Sequence, residues 1–189
     1  MKKVFIFLAE GFEETEAVAT MDVMLRGGLN VTSVSVTGDL HVTGTHGITV
    51  KANTLFEDAG LSSGDMLVLP GGMPGALNLN AHAGLKSALE KQAADGKKIA
   101  AICAAPLVLG GLGLLHGKKA TAYPGFESTL KGATYIDSPT VKDGNIITGQ
   151  GPGFAFQFGL AIVEELQGKE KAGDVAEALL LSRDFDAIA

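Results

Sequence analysis

The residue of this chain best suited to covalent chemistry is its single cysteine, Cys103. It follows the apolar segment 98–102 and precedes residues 104–106, which read Ala-Ala-Pro. Small neighbours suit a sharp turn from a strand into a helix, as in a serine nucleophile elbow, and proline suits a first helical turn. A thiol in such a turn faces backbone N–H groups and the positive end of a helix dipole, which lower its pKa. The pattern therefore favours a reactive thiolate over a buried cysteine that is only a small hydrophobic residue.

Two adjacent glycines at the end of another apolar segment are candidate partners of this thiol. Gly71 and Gly72 follow the apolar residues 66–69 after one proline. Glycine lets backbone N–H groups approach a ligand closely, so the N–H groups of Gly72 and Ala104 are candidates for an oxyanion hole beside Cys103. A tight turn with glycine at positive φ explains the same residues, and the two interpretations are compatible.

Four glutamates around the start of the first helical period are candidates for moving a proton. Acidic residues in a first helical turn usually interact with the helix dipole. One that approaches Cys103 could instead act as a proton donor or acceptor. Helical periodicity leaves the choice open, since Glu13 lies nearer the apolar stripe and Glu16 lies at its border. The four are Glu10, Glu13, Glu14 and Glu16.

The elements that must position these residues follow from apolar runs that alternate with helical periods. Nearly continuous apolar runs are typical of strands buried on both faces. The predicted strands are 4–9, 30–36, 66–69 and 98–102, with hairpins at 42–50 and around 143–144. The predicted helices are 13–26, 79–94, 154–166 and 171–181. This alternation predicts an α/β fold with a doubly wound, mostly parallel sheet, helices on both faces and ligands at the carboxyl ends of the strands.

The composition disfavours several classes of function. The chain has 189 residues, of which 46% are apolar and 19% charged, and this suits one folded domain over residues 1–189. The net charge is −6 with no block of like charge, so no nucleic-acid partner and no membrane-surface partner is predicted. No apolar stretch reaches the ~20 residues that span a bilayer, and the run 4–9 is too short for a signal peptide. One cysteine permits no intramolecular disulfide, so a cytoplasmic location is predicted.

Neither a metal site nor a cofactor site is predicted. The glycine-rich segments 113–119 and 149–153 depart from the P-loop and dinucleotide-binding patterns. The histidines are scattered without the spacing of metal ligands. They are His41, His46, His82 and His116. The expected site therefore works with protein groups alone.

Four stretches together resemble the ThiJ/PfpI superfamily, in the branch of the parkinsonism-associated redox protein and its deglycase relatives. They are 8–16 (Leu-Ala-Glu-Gly-Phe-Glu-Glu-Thr-Glu), 68–72 (Val-Leu-Pro-Gly-Gly), 100–106 (Ala-Ala-Ile-Cys-Ala-Ala-Pro) and 151–153 (Gly-Pro-Gly), in the family's order. The resemblance implies a flavodoxin-like sandwich, of the class I glutamine-amidotransferase type, that forms a homodimer. It implies that Cys103 is an oxidation-prone nucleophile and that Glu16 is a protonated glutamate hydrogen-bonded to its sulfur. Gly72 and Ala104 match the backbone donors of the family.

The resemblance also concerns the dimer interface and marks one departure. Arg26 matches a basic residue of the family's interface, and His46 falls where relatives often carry an arginine that reaches the partner's site. Methionines and small residues along the first helix, Met21 and Met24 among them, favour a symmetric two-fold contact. Tyr123 takes the place of a histidine that many relatives carry, and a phenol with a pKa near 10 is a poor general base.

The function predicted first is a cysteine-dependent glyoxalase or protein deglycase. Its partners would be small aldehydes or dicarbonyls such as methylglyoxal, or proteins modified by them, and its role would be linked to oxidative stress. The alternative is a redox sensor or chaperone without turnover, in which Cys103 oxidises to the sulfinate. Peptidase or amidase activity is a weaker alternative, because Ala104 stands where the protease-like branch has histidine. A role in thiamine (thiazole) biosynthesis, which is attributed to some relatives, is also a weaker alternative, because the sequence shows no thiamine-phosphate site.

Overall fold

Apolar segments of the sequence pair into a central sheet in the computed structural model, which describes residues 1–181. The predicted domain extends to residue 189, and its last part, 182–189, lies outside the described residues. The strands are β1 (Lys3–Leu8), β2 (Asn30–Ser35), β3 (His41–Thr43), β4 (Thr49–Lys51), β5 (Thr54–Leu55), β6 (Met66–Leu69), β7 (Lys98–Ile102), β8 (Lys119–Ala120), β9 (Thr134–Tyr135), β10 (Thr140–Asp143) and β11 (Ile146–Gly149). The α-helices are α1 (Glu14–Arg26), α2 (Gly75–Ala81), α3 (Ala83–Ala94), α4 (Pro106–Gly111), α5 (Ala155–Gln167) and α6 (Lys169–Ala178). Among residues 1–181, no helix is long and apolar enough to cross a membrane.

The central sheet has seven strands in the spatial order β10-β11-β7-β6-β1-β2-β5. Neighbouring strands are parallel, except that β10 and β11 form an antiparallel hairpin. The strand order reverses at β1, since β2 lies on one side of it and β6 on the other. Open α/β sheets bind ligands beside the carboxyl ends of the strands at such a reversal. The predicted doubly wound, mostly parallel sheet is confirmed.

Alternate side chains of β1 enter two cores on opposite faces of the sheet. Phe5 and Phe7 pack in one core with residues of α2, α3 and α4. Val4 and Ile6 pack in the other core with residues of α1, α5 and α6. All four side chains are fully buried. Burial on both faces explains why this strand is a continuous apolar run in the sequence and does not alternate with polar residues.

Helices α1 and α5 approach each other closely at two glycines. A Cβ added at Gly159 of α5 would lie 2.8 Å from the Cβ of Val23 of α1. A Cβ added at Gly27, which follows α1, would lie 2.6 Å from a methyl group of Val163 of α5. Glycine at these two positions therefore allows the short distance between α1 and α5.

The predicted helix 79–94 is wrong, because the structure has two helices there. The first, α2, already begins at Gly75, and the second, α3, begins at Ala83. His82 separates them with an extended backbone, and its ring Nδ1 accepts a hydrogen bond from the N–H of Leu85 at 3.0 Å. Side-chain capping of this kind starts a new helix without interrupting the apolar pattern of the sequence.

Both predicted hairpins are present, as β3–β4 and β10–β11.

The close packing of α1 on α5 predicts the effect of one methyl group. Gly159→Ala should lower the free energy of unfolding by about 1–3 kcal/mol, because the added Cβ overlaps Val23. The matched control is Gly173→Ala in α6, where nothing lies within 4 Å of an added Cβ. The free energy of unfolding of this control should rise by up to about 1 kcal/mol, because alanine has a higher helix propensity than glycine. Urea unfolding followed by circular dichroism measures both, and a stabilised Gly159→Ala would contradict the packing described.

Candidate functional site

Cys103 occupies a sharp turn between β7 and α4. Its backbone is left-handed, with φ 65°, a conformation that non-glycine residues seldom adopt and that costs of order 1–3 kcal/mol. The Cys103 N–H donates to the carbonyl of Gly149 at 2.9 Å, and Pro106 is the first residue of α4. The small residues around Cys103 thus form the strand-to-helix elbow that their sizes suggest. The cysteine is 8% exposed, so its sulfur meets mainly protein groups.

The end of β6 brings backbone donors to the sulfur. The N–H groups of Gly72 and Ala104 both hydrogen-bond to the Cys103 thiol. Gly72 has φ 94°, and a Cβ there would lie 2.3 Å from the backbone nitrogen of Glu13. A Cβ at Gly71 would lie 2.7 Å from the Cβ of Cys103. Neither glycine can carry a side chain without displacing the backbone or the groups around the sulfur.

Glu16 and Glu13, which the sequence pattern left as alternatives, have different contacts. Glu13 precedes α1 as its N-cap, and its carboxylate accepts the N–H of Glu16 at 2.6 Å. Glu16 is fully buried, and its Oε2 accepts the N–H of Gly71 at 2.7 Å. Its Oε1 receives no hydrogen bond from a nitrogen or oxygen of the described residues, and the carboxyl lies against the thiol of Cys103. Of the two glutamates, Glu16 is therefore the one in contact with the sulfur.

The thiol and the carboxyl share one buried pocket and titrate as a pair. Burial raises the pKa of Glu16 to about 7. Burial and then the charge of an ionised Glu16 raise the pKa of the Cys103 thiol, while the N–H groups of Gly72 and Ala104 lower it. The expectation that the thiol pKa is lowered is therefore wrong, because burial and the charge of Glu16 outweigh the two N–H donors. The pair loses one proton near neutrality and retains the second, because two negative charges cannot share this pocket.

Tyr123 forms part of a groove beside the elbow. Its backbone N–H donates to the carbonyl of Cys103 at 2.9 Å, and the residue is 45% exposed. The groove has a volume of about 300 Å³. Its lining residues are Tyr123, Pro124, Gln150, Gly151, Pro152, Gly153 and Phe154. Sequence analysis missed this groove because its glycine-rich loop was compared only with nucleotide-binding patterns. The only available signal was the Gly-Pro-Gly turn after a predicted hairpin.

His46 lies in the turn between β3 and β4 and is hydrogen-bonded to Glu14. The imidazole Nδ1 lies 2.8 Å from one oxygen of that carboxylate, and the His46 N–H donates to the other at 2.7 Å. This hydrogen bond raises the pKa of His46. Among residues 1–181, Glu13, Glu14 and His46 form the one group that could hold a metal ion. Because the Glu14 carboxylate is already occupied by hydrogen bonds to the turn, we interpret this group as the anchor of the hairpin on α1.

The three residues predicted to lie in a dimer interface differ in their solvent exposure. Arg26 is half-exposed and pairs with Asp22 at 2.7 Å, one turn earlier in α1. Met21 is partly buried. Met24 is fully buried in the core shared with α5, so its assignment to the interface is wrong. The exposed large hydrophobic residues of α1 are Val18 (47%) and Leu25 (56%), which share a face with Met21.

Comparison with known proteins finds relatives over nearly the whole chain. Protein DJ-1 homolog A of Arabidopsis thaliana is 46% identical over 183 residues, which are 95% of this chain and 47% of that protein. The chain thus spans about half the length of the two plant relatives that it matches. The glutathione-independent glyoxalase DJR-1.2 of Caenorhabditis elegans is 33% identical over 92% of this chain and 93% of its own length.

Solved structures and a family model agree with these matches. The structure described as Toxoplasma gondii DJ-1, oxidized, superposes with a TM-score of 0.93 at 37% identity, over 97% of this chain and 100% of that one. The model of the DJ-1/PfpI family matches residues 2–165, which include β1, the elbow at Cys103 and most of α5. The chain therefore belongs to the DJ-1/PfpI family.

Proposed function

We propose that the chain is a cysteine-dependent glyoxalase that converts a reactive dicarbonyl such as methylglyoxal into a hydroxy acid, or removes its adducts from proteins. The observation that carries the proposal is the buried pair of Cys103 and Glu16, with two backbone N–H groups on the sulfur. The pair combines a nucleophile, a proton carrier and hydrogen-bond donors without a cofactor. The similarity to a relative named as a glutathione-independent glyoxalase supports this choice.

The first step of the proposal is that the single proton of the pair resides on Glu16. Two N–H groups and the start of α4 stabilise a negative charge on the sulfur. The Glu16 carboxylate would have one N–H donor, from Gly71, and a buried Oε1 without any. A protonated Oε1 donates to the thiolate, so both buried groups are satisfied. The active form is thus a thiolate beside a neutral carboxylic acid.

The proposed reaction uses each group of the pair in turn. The Cys103 thiolate attacks the aldehyde carbon, and the resulting alkoxide takes the proton of Glu16 to give a hemithioacetal. The N–H groups of Gly72 and Ala104 stabilise the alkoxide while it forms. The Glu16 carboxylate then removes the proton of that carbon to give an enediolate and returns it to the neighbouring carbon, while the hydroxyl proton passes to the neighbouring oxygen, which gives a thioester. Water hydrolyses the thioester to the hydroxy acid and regenerates the thiol, so no oxidant or reductant is consumed.

A redox sensor is the second candidate function. The similar structure from Toxoplasma gondii is described as oxidized. In this chain a sulfinate at Cys103 would find the Glu16 acid proton and two N–H groups as donors for its oxygens. Cys103 is the only cysteine in the sequence, so a sulfenic acid cannot form an intramolecular disulfide. The same donors that stabilise an alkoxide would therefore stabilise an oxidised sulfur.

We also propose that the chain forms a symmetric homodimer through the exposed face of α1. Val18, Met21 and Leu25 form an apolar stripe on this helix. Ile48, which is 59% exposed, lies in the turn between β3 and β4, and its N–H donates a hydrogen bond to the Glu14 carboxylate. Exposed apolar residues grouped beside a candidate site are typical of an interface, and a two-fold contact pairs the same helix from both subunits.

The protonation proposal predicts how alkylation of Cys103 depends on pH. In the wild type the rate should rise with a midpoint near pH 7, because the pair loses its first proton there and the proposal places the resulting charge on the sulfur. Glu16→Gln keeps a donor toward the sulfur and should also react below the ordinary thiol pKa of about 8.5. Glu16→Ala removes the donor and should raise the midpoint above that of Glu16→Gln. Iodoacetamide kinetics give all three values, and a wild-type midpoint above about 8.5 would place the first charge on Glu16.

The reaction scheme predicts the kinetics of three variants with methylglyoxal. Cys103→Ser should abolish lactate formation, and Glu16→Gln should lower kcat by about 10²–10⁴, because a proton carrier is lost. The control Glu10→Gln changes an exposed glutamate of the same segment and should retain wild-type kinetics. Enzymatic determination of lactate measures the rates.

One combination of results would replace the glyoxalase with the sensor. It is that wild type forms lactate no faster than Cys103→Ser, while mild peroxide adds two oxygens to Cys103. Mass spectrometry of the peptide that contains Cys103 detects this oxidation.

The dimer proposal predicts the effect of one charge on α1. Val18→Lys should produce a monomer at micromolar concentration, because two lysines would face each other across the two-fold axis in place of apolar contacts. The control Leu77→Lys changes a residue of similar exposure, 48%, on α2 and should leave the dimer intact. Light scattering coupled to size-exclusion chromatography measures the masses, and a monomeric wild type would refute the interface.

A further inference from the structure

We propose that the groove beside Cys103 binds an aryl group of the substrate and that Tyr123 is the residue that determines this specificity. The inference rests on the proposed glyoxalase function and adds the substrate class, which is aryl-substituted glyoxals in preference to methylglyoxal. Three features of the groove support the inference: its hydrogen bonds to the Cys103 backbone, its size and chemistry, and the position of the Tyr123 ring.

One wall of the groove is hydrogen-bonded to the backbone of Cys103, and the other directly follows a residue that is. On one side the N–H of Tyr123 donates to the Cys103 carbonyl at 2.9 Å. On the other side the Cys103 N–H donates to the carbonyl of Gly149 at 2.9 Å, and residues 150–154 of the second wall follow Gly149 directly. The elbow that carries the sulfur thus fixes the position of the groove, and we infer that a substrate attacked by Cys103 can extend its substituent into it.

The groove is larger and more apolar than a three-carbon dicarbonyl requires. Its volume of about 300 Å³ is at the lower end of the range for small-molecule sites and holds roughly ten waters. Its lining consists of two aromatic residues, two prolines, two glycines and one glutamine, without a charged side chain. The methyl group of methylglyoxal would leave most of this space filled with water. An aryl group in the same position would bury apolar surface of both partners.

The Tyr123 ring lies where an aryl substituent can pack on it. Gly151 has no side chain, and a Cβ there would lie 3.0 Å from Cδ2 of Tyr123, so the glycine lets the ring lie against the opposite wall. Tyr123 remains 45% exposed at the groove, and Phe154 supplies the second aromatic ring of the lining. Aromatic rings associate in offset or edge-to-face pairs, which a methyl group cannot form. Tyr123 therefore contributes an aromatic surface to the groove, a role that does not depend on the basicity of its hydroxyl.

The kinetic test compares phenylglyoxal with methylglyoxal in three proteins. The wild type should have a higher kcat/KM for phenylglyoxal, by at least about fivefold. Tyr123→Ala should lose this ratio, whereas Tyr123→Phe, which keeps the ring and lacks the hydroxyl, should retain it. The proposal is wrong if wild type turns over both substrates with equal kcat/KM, or if Tyr123→Ala keeps the wild-type ratio.

A second measurement separates failure of this proposal from failure of the glyoxalase function, because it needs no turnover. Cys103 is alkylated with iodoacetanilide and with iodoacetamide, and the ratio of the two rates is divided by the same ratio for glutathione. This quotient should exceed one by about fivefold or more in wild type and in Tyr123→Phe, and should fall toward one in Tyr123→Ala. If the quotient is high while neither dicarbonyl is turned over, the aryl site stands and the glyoxalase proposal fails. A quotient near one in wild type refutes the aryl site whatever the turnover.

Discussion

The rest of the site depends on one constraint, the burial of a thiol and a carboxyl side by side in a pocket that accepts only one negative charge. Burial raises the pKa of both Cys103 and Glu16, so the two groups compete for a single proton. We propose that the outcome favours charge on the sulfur, because the N–H groups of Gly72 and Ala104 lower the thiol pKa and Oε1 of Glu16 has no such donor. In the proposed state the neutral carboxylic acid of Glu16 donates a hydrogen bond to the thiolate.

The fold meets this constraint through the order of its strands. β1, β6 and β7 are neighbours in the sheet, so their carboxyl ends bring α1 with Glu16, the two glycines and the elbow of Cys103 to one point. The required distances are short, since a side chain at Gly71 would overlap both the cysteine and the Glu16 carboxylate. The close contact of α1 with α5 holds the helix that carries Glu16 at this distance. The geometry of the pair is thus a property of sheet order and of a few positions without side chains.

Much of this arrangement could be predicted from the sequence, and the exceptions have physical reasons. Continuous apolar runs located the central strands, and small residues around Cys103 indicated the elbow, because both patterns reflect local sterics and burial. Periodicity could not separate Glu13 from Glu16, since the difference is a hydrogen bond at the N-terminus of α1. The break at His82 was missed because the capping side chain leaves the apolar pattern unchanged. The burial of Met24 and the groove at Tyr123 depend on elements distant in sequence, which local patterns do not encode.

The central claim is that the remaining proton of the pair is on Glu16 and the charge is on Cys103. Infrared difference spectroscopy between wild type and Glu16→Gln tests it directly, at a pH just above the first ionisation of the pair. We expect the carbonyl band of a neutral carboxylic acid that is lost in Glu16→Gln, and no S–H stretching band in wild type. A carboxylate band for Glu16 together with an S–H band from Cys103 would contradict this assignment, because the proton would then reside on the sulfur.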